Sequence, residues 1–272
     1  GTGPAGRVSK EDIEGFLKDG AAPAASAPGT SGADPAVAGS EERLPLKGLR
    51  KIIAERMRHS VDTVAHVTQV DEVDLTELVK LRAKAKPAAE AQGIKLTYLP
   101  FFVKAVIAAL KKFPMLNASL DDASKELVVK HYYNIGIAVN TDNGLFVPVI
   151  HDADRKSIFQ IAKEISELSE RAKTGKSTME ELKGGTFSLT NIGSVGGLFA
   201  TPIVNHPEVG ILAVNKIQKR PVVINDEIVI RDMMYIALSF DHRVVDGAMA
   251  AAFNNQLAAY LGDPTLMFLE MA

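Results

Sequence analysis

The sequence contains no cysteine, and its net charge is close to zero. The absence of cysteine excludes disulfide bonds, thiolate metal ligands and a cysteine nucleophile, and it fits an intracellular protein. A formal net charge of -2 at pH 7 gives no reason to expect binding to nucleic acid. No apolar run is long enough to span a membrane, because Lys104 interrupts the best candidate, residues 101–110. We therefore expect neither nucleic acid nor a membrane as a partner.

The chain starts at Gly1 rather than at a methionine, and it carries no secretory signal. We expect a fragment of a longer protein, although 272 residues suffice to bury a sizeable core. Three parts are expected. Residues 1–19 form a small unit, residues 20–40 are nearly all Ala, Pro, Gly and Ser and predict a flexible linker, and residues 41–272 have a globular composition.

The small N-terminal unit contains the pattern G-x-G-x-x-G in residues 1–6. A dinucleotide site needs a preceding strand and a long βαβ unit, and neither is present. Pro4 also removes a backbone donor. We interpret residues 9–12 instead as the start of a short helix that continues to Leu17.

Helical and strand patterns alternate irregularly along the globular part. Apolar residues at helical spacing predict helices at residues 49–60, 75–92, 98–112, 158–173 and 247–261. Strands are expected near residue 118 and at 66–74, 127–131, 133–140, 145–150, 186–190, 209–215, 222–230 and 234–240. This mixture, without strict alternation, favours an α+β sandwich with a mixed β-sheet.

The best candidate for catalysis lies where the strand at 234–240 leads into the helix at 247–261. His242 occupies this strand-to-helix corner, where rigid elements position a side chain that solvent and substrate can still reach. An imidazole with a pKa of about 6.5 suits proton transfer at neutral pH, so His242 is the candidate general base. Asp246 follows one helical turn later and can fix the local geometry.

Two other interpretations of His242 remain open from spacing alone. A single histidine among six is more often structural than catalytic. His242 and Asp246 could also supply two metal ligands, because residues four apart share a helix face. No third His, Cys or carboxylate follows at ligand spacing, so a metal site is the least favoured of the three interpretations.

Residues 239–248 resemble the Ser-Phe-Asp-His-Arg-x-x-Asp-Gly-Ala motif of the dihydrolipoamide acyltransferases, the E2 cores of 2-oxo acid dehydrogenase complexes. Other blocks are similar to the same family, namely residues 50–57, 132–139, 144–150, 187–197 and 201–208. Ala65 precedes His66 where the family often has proline, so the turn before that strand is expected to differ. Two of these segments look most like the pyruvate dehydrogenase E2 proteins. They are the Tyr-Tyr-Asn-Ile-Gly-Ile-Ala sequence at 132–138, in the central hairpin, and the Thr-Asn-Ile-Gly-Ser block at 190–194.

The resemblance implies a chloramphenicol acetyltransferase-like fold with a trimeric building block. It also implies transfer of an acyl group, with acetyl preferred, between dihydrolipoamide and coenzyme A (CoA). CoA is then a substrate, the lipoyl group is carried on an upstream domain absent from this chain, and no metal is required. Homotrimers would assemble into a cage, a 24-mer or a 60-mer, that binds the E1 and E3 enzymes of the complex.

The resemblance assigns a role to each candidate residue. His242 takes the thiol proton of CoA and returns it to the leaving lipoyl thiol, without a covalent acyl-enzyme. Thr190, at the end of the Phe-x-x-[Ser/Thr]-Asn strand, donates a hydrogen bond to the oxyanion. Asp246 ties down the active-site turn through an arginine, for which Arg50 is the candidate. In the family, the histidine and the oxyanion donor come from different subunits of the trimer.

Both ends of the chain resemble interaction segments. Residues 1–12 are similar to the C-terminal part of the peripheral subunit-binding domain, which binds E1 or E3, and Arg7 and Lys10 match its basic positions. The apolar residues 266–269 suit a contact between trimers, or equally packing within their own subunit.

Three other functions fit parts of the pattern: a branched-chain acyltransferase E2, a non-catalytic E2-like scaffold and a free-standing acetyltransferase. The scaffold is disfavoured because His242 and Thr190 are both present. The free-standing enzyme would lack the docking module and the linker that we expect here. The predicted location is the cytoplasm if the protein is bacterial and the mitochondrial matrix if it is eukaryotic.

Overall fold

A computed structural model of the chain describes residues 2–4, 7–18, 41–142, 144–193 and 195–269. The chain divides into two compact units, Gly1–Pro45 and Leu46–Ala272. The predicted linker at residues 20–40 lies outside the described residues. In the first unit, helix α1 (Lys10–Lys18) confirms the short helix expected there.

The second unit contains both helices and strands in its described part. Its helices are α2 (Gly48–Thr63), α3 (Thr76–Glu90), α4 (Leu99–Lys112), α5 (Ile158–Lys173), α6 (Gly247–Gly262) and α7 (Pro264–Leu269). Its strands are β1 (His66–Asp74), β2 (Ala118–Asp121), β3 (Glu126–Val129), β4 (Ile135–Thr141), β5 (Gly144–Phe146), β6 (Val149–Ile150), β7 (Phe187–Asn191), β8 (Gly210–Val214), β9 (Gln218–Ile224) and β10 (Glu227–Asp241).

The main sheet is mixed, as the irregular alternation of patterns predicted. Its order is β1-β10-β8-β7-β4-β5, with β6 paired to β4 and β9 paired to β10. Strand β7 runs parallel to both β4 and β8, whereas the other pairs in the sheet are antiparallel. Strands β2 and β3 form a separate hairpin. The expectation of an α+β fold with a mixed sheet is confirmed.

Strand β10 corrects one sequence expectation. The patterns at 222–230 and 234–240 predicted two separate strands, but residues 227–241 form one strand of 15 residues. Its first half pairs with β9 and its second half with β1 and β8. The polar residues Arg231 and Asp232 interrupt the apolar pattern without interrupting the strand, because each is paired with a residue of β9. Asp232 also accepts a hydrogen bond from Lys219 Nζ at 3.2 Å.

Helix α4 fills the centre of the core. Every residue from Leu99 to Leu110 is buried, including Lys104. The Lys104 ammonium donates hydrogen bonds to the backbone oxygens of Asp154 at 2.9 Å and Lys156 at 3.0 Å. The apolar run is thus part of a core helix in which the buried Lys104 ammonium is satisfied by hydrogen bonds to nearby backbone oxygens. Among the described helices, none has both the length and the apolar character needed to cross a membrane.

The apolar C-terminal residues form helix α7 rather than an extended tail. Met267 is only 1% exposed, so one side of the helix packs within its own subunit. Leu266, Phe268 and Leu269 are 44%, 48% and 76% exposed. Packing within its own subunit is therefore observed for Met267, and a contact between trimers through the exposed face stays a prediction.

Candidate active site

His242 lies on the turn between β10 and α6, where the sequence placed it. Its backbone N–H donates a hydrogen bond to the Ala65 oxygen at 2.8 Å, which fixes the turn to the residue that precedes β1. The imidazole is exposed, and its ring centroid lies 5.8 Å from that of the buried Phe240. The turn therefore has a fixed backbone and presents a histidine that a substrate can reach.

An ion pair within the turn holds this geometry. The carboxylate of Asp241, a buried residue, accepts hydrogen bonds from Arg243 Nε at 3.0 Å and Arg243 Nη2 at 2.7 Å. It also accepts from the backbone N–H of Arg243 at 3.0 Å and that of Ala65 at 3.4 Å. Burial alone would raise the pKa of Asp241, but the bonds and charge of Arg243 outweigh it and hold that pKa below its usual range. The carboxylate is therefore a permanent charge at neutral pH.

Arg243 extends this contact to the β2–β3 hairpin. Its Nη1 donates a hydrogen bond to Asp122 Oδ1 at 2.7 Å. Sequence reasoning missed both Asp241 and Arg243, although they flank His242 in the Asp-His-Arg triplet. The signal was the charge pair itself, because an acidic and a basic residue directly flank the candidate base.

Asp246 has a different contact from the one expected. It is the N-cap of α6, and its Oδ1 accepts a hydrogen bond from the Met249 N–H at 2.8 Å. Among the described residues, no ion pair or hydrogen bond joins Asp246 to Arg50, which is exposed on α2. Within one subunit, the expected Asp246–Arg50 pair is therefore absent, because the free N–H group of α6 is the nearer partner. The arginine that contacts the turn is Arg243.

Thr190 lies near the end of β7, half buried, between Ala138 of β4 and Ala213 of β8. The two alanines leave space beside its side chain. His242 is at the opposite end of these strands, because the preceding Asp241 donates its N–H to Val209, just before β8 begins. Ala213, the partner of Thr190, follows Val209 by four positions along an extended strand. At about 3.3 Å per residue, His242 and Thr190 of one chain are therefore more than ~10 Å apart. A single subunit does not bring these two residues together.

Two cavities open beside the turn. The first, of about 470 Å³, is lined by residues of the β2–β3 hairpin, including the Asp122 that holds Arg243, and by His59 and His206. The second, of about 480 Å³, shares His59, His206 and Pro207 with the first and is also lined by Val149 of β6 and by Gly184 and Gly185, just before β7. Among the described residues, no group of three or more His, Cys, Asp or Glu side chains is placed to hold a metal ion.

The chain matches known proteins over most of its length. Residues 38–269 match the family described as 2-oxoacid dehydrogenases acyltransferase (catalytic domain). The dihydrolipoyllysine-residue acetyltransferase component of the pyruvate dehydrogenase complex of Bacillus subtilis is 48% identical, over 99% of this chain and 63% of that protein. The same component of Staphylococcus epidermidis is 44% identical, over 99% and 66%. The chain thus spans just under two thirds of the length of these relatives.

Solved structures agree with this assignment. Azotobacter vinelandii dihydrolipoamide acetyltransferase has a TM-score of 0.83 at 40% identity, covering 86% of this chain and 98% of that one. The cubic core of a pyruvate dehydrogenase multienzyme complex has a TM-score of 0.83 at 39% identity, with the same coverage. A truncated catalytic core of the 2-oxoacid dehydrogenase complex of Thermoplasma acidophilum has 0.76 at 42%, covering 82% and 99%. The chain belongs to the 2-oxoacid dehydrogenase acyltransferase family, and residues 38–269 are its catalytic domain.

Proposed function

We propose that this protein transfers an acyl group, with acetyl preferred, between dihydrolipoamide and CoA, and that it forms the core of a 2-oxo acid dehydrogenase complex. One observation carries the proposal. The work on the Azotobacter enzyme concerns the roles of a serine, a histidine and an asparagine in its catalytic mechanism, the histidine 52 residues after the serine and the asparagine four residues later. Thr190, His242 and Asp246 have the same separations here.

The residue types at these three positions preserve the chemistry. Threonine keeps the hydroxyl donor that serine supplies. Aspartate and asparagine are about equally good N-caps, so the helix after the turn is held in either case. The general base, histidine, is unchanged.

His242 supplies the proton transfer in this proposal. A thiol with a pKa of about 8.5 is mostly protonated at neutral pH, and it attacks poorly in that form. The exposed imidazole takes the proton of the CoA thiol as its sulfur attacks the acyl carbon. When the tetrahedral intermediate collapses, the bond to the lipoyl sulfur breaks and the imidazolium returns the proton to that sulfur. One thioester replaces another, and the enzyme is unchanged.

Thr190 stabilises the charge that develops on the acyl oxygen. Its hydroxyl donates a hydrogen bond to the oxyanion of the tetrahedral intermediate, and one such donor typically lowers a barrier by about 2.7–4 kcal/mol. The half-buried position between two alanines suits this role, because the donor is held by two neighbouring strands and is partly shielded from water.

The separation of His242 from Thr190 supports an active site shared between subunits. Residues more than ~10 Å apart cannot contact the same tetrahedral carbon. We propose that His242 of one subunit meets Thr190 of the next in a trimer, and that trimers build the cage. An upstream lipoyl domain would deliver the substrate, and residues 1–19, with Arg7 and Lys10 exposed, would bind E1 or E3.

The reaction is tested with free dihydrolipoamide and acetyl-, isobutyryl- or succinyl-CoA as acyl donor. We expect acetyl-CoA to give the fastest transfer and His242→Ala to slow it by about 10²–10⁴-fold. His131→Ala, which changes another exposed histidine, is the matched control and should retain full activity. Preference for isobutyryl-CoA would indicate a branched-chain enzyme. No transfer with any donor, in a protein that still assembles, would indicate a scaffold.

A further inference from the structure

The cavity of about 480 Å³, which is lined by Val149 of β6 and by the segment just before β7, has more basic than acidic side chains. We call it the basic cavity. Its basic residues come from α2, from the end of β3 and from the segments before β7 and β8. They are Arg56, His59, Lys130, Lys183 and His206, against the single carboxyl group of Glu208. Neither His242 nor Thr190 lines it, so the proposed roles of these two residues do not account for the cavity or its basic side chains.

Three of the basic side chains that line the basic cavity form no close ion pair among the described residues. Among the described residues, neither Arg56, Lys130 nor Lys183 has a carboxylate oxygen within 4.0 Å. Burial lowers the pKa of Lys130, and the charge of Glu208 offsets this only in part. A half-buried ammonium without a close counter-ion is costly, and an anion in the cavity would remove that cost.

The wall of the cavity at Glu208 is polar and buried. Glu208 is 4% exposed, and its Oε1 accepts a hydrogen bond from Asn205 Nδ2 at 2.9 Å. Its carboxylate is also next to the buried hydroxyl of Ser188, whose hydrogen bond lowers the pKa of Glu208. Gly185 makes room for this carboxyl group, because a Cβ there would lie 2.7 Å from Glu208 Oε1. The buried carboxyl group of Glu208 and the ammonium of Lys130 thus line the same cavity.

Two histidines meet at the boundary between the two cavities. The rings of His59, on α2, and His206 lie edge to face with their centroids 4.8 Å apart. Burial and the nearby His59 lower the pKa of His206. A second imidazole this close disfavours the charged form of His206, and an anion beside the two rings would favour it.

We propose that the basic cavity binds a phosphate-bearing ligand, with Arg56, Lys130 and Lys183 as contacts for the phosphate oxygens and with His59 and His206 at its rim. Arginine offers a planar fork that matches phosphate, and lysine adds point charges. Three basic side chains fit a polyanion such as a diphosphate better than a single carboxylate. The cavity volume lies within the range of about 300–1,000 Å³ of small-molecule sites. Phosphates of CoA and a separate phosphorylated metabolite share this chemistry.

The test measures binding of inorganic pyrophosphate to the assembled chain by isothermal titration calorimetry. We expect saturable binding that weakens at least tenfold in Lys130→Met and in Arg56→Met. Lys95→Met is the matched control, because Lys95 is exposed and lies outside the cavity, and its affinity should equal that of the unmodified protein. Arg56 is itself exposed on α2, so its variant keeps the test informative if Lys130→Met fails to fold.

The source of the ligand is identified by repeating the titration with saturating CoA. Loss of pyrophosphate binding would place the phosphates of CoA in the basic cavity, and unchanged binding would identify a site for a separate ligand. Equal affinity in all three variants, or no saturable binding, would overturn the proposal. His242→Ala should bind pyrophosphate normally while losing acyl transfer, so the failure of either proposal is distinguished from the failure of the other.

Discussion

The contact that matters most at the scale of single residues is the ion pair on either side of His242. Asp241 and Arg243 exchange several hydrogen bonds through a buried carboxylate, and together they fix the backbone from which the imidazole projects. The His242 imidazole is exposed, so its position depends on its two neighbours.

We expect Arg243→Lys to lower both the turnover number and the free energy of unfolding, the latter by about 1–3 kcal/mol. Lysine keeps the charge but cannot contact both Asp241 oxygens and Asp122 at once. Turnover and chemical denaturation measure the two effects. Arg58→Lys is the control, since the Arg58 side chain is 75% exposed and pairs with Asp62 in the next turn of α2. Normal turnover in Arg243→Lys would show that the turn does not need this pair.

Glu208 should give the protein a measurable pH dependence of stability. Burial raises the pKa of Glu208 from 4.5 to about 7, although Ser188, Asn205 and Lys130 partly offset this. Because the folded state keeps this proton longer than the unfolded state does, the free energy of unfolding falls as pH rises from about 4.5 to above 7. The fall amounts to about 3 kcal/mol.

The change that isolates this effect is Glu208→Gln, which cannot ionise. Subtracting its stability curve from that of the unmodified protein cancels the six histidines and leaves the contribution of Glu208. Glu55→Gln, at an exposed site, should leave the curve unchanged. A flat difference curve between pH 4.5 and 8 would show that Glu208 has an ordinary pKa.

The prediction at the scale of elements concerns the start of α6. Pairing with an arginine would make Asp246→Asn costly, but the N-cap geometry makes it tolerated, because asparagine caps a helix about as well as aspartate. We expect Asp246→Asn to retain stability and activity, and Asp246→Ala to lose about 1 kcal/mol. Thermal denaturation and acyl transfer of the two variants decide between the contacts. Equal losses in both would favour an ion pair formed between subunits.

Elements with a regular apolar period were predicted well from the sequence. Strand β1 and helix α5 have the bounds that their patterns indicated, residues 66–74 and 158–173. Strand β10 was divided in two because Arg231 and Asp232 break its apolar run, and only their pairing with β9 shows that the strand continues. Helix α7 was missed because its six residues are too few to establish a period.

The candidate site was only partly accessible to the same reasoning. His242, Thr190 and Asp246 occur in motifs, so the sequence could name them. The predicted Asp246–Arg50 contact is absent within one subunit, where Asp246 caps α6 instead. Which partner a side chain contacts depends on distances in the folded protein, and spacing along the chain does not give these distances. The basic cavity could not be predicted from the sequence for a related reason. Its lining residues come from several separate segments, and only the fold brings Arg56, Lys130 and Glu208 to one place.

The prediction at the scale of the whole molecule follows from the distance between His242 and Thr190. If each active site takes one residue from each of two subunits, a mixture of inactive His242→Ala and Thr190→Ala chains should form some intact sites. Random mixing in equal amounts predicts recovery of roughly a quarter of the unmodified activity in a cyclic trimer. Co-expression with two affinity tags, followed by the acyl-transfer assay, measures this recovery.

The two variants mixed after separate assembly are the control, and they should remain inactive as long as subunits do not exchange. Co-expressed chains that are no more active than this control would place the complete active site within one subunit.

The unbroken course of β10 also has a geometric consequence. At about 3.3 Å per residue, its 15 residues form a rod roughly 45 Å long, with the exposed Ile228 near one end and His242 just beyond the other. Pairing with β9, β1 and β8 along its length makes β10 one continuous element between the β9–β10 hairpin and the turn that carries His242. A molecule that contacts this hairpin would therefore bind at the opposite end of the strand from His242.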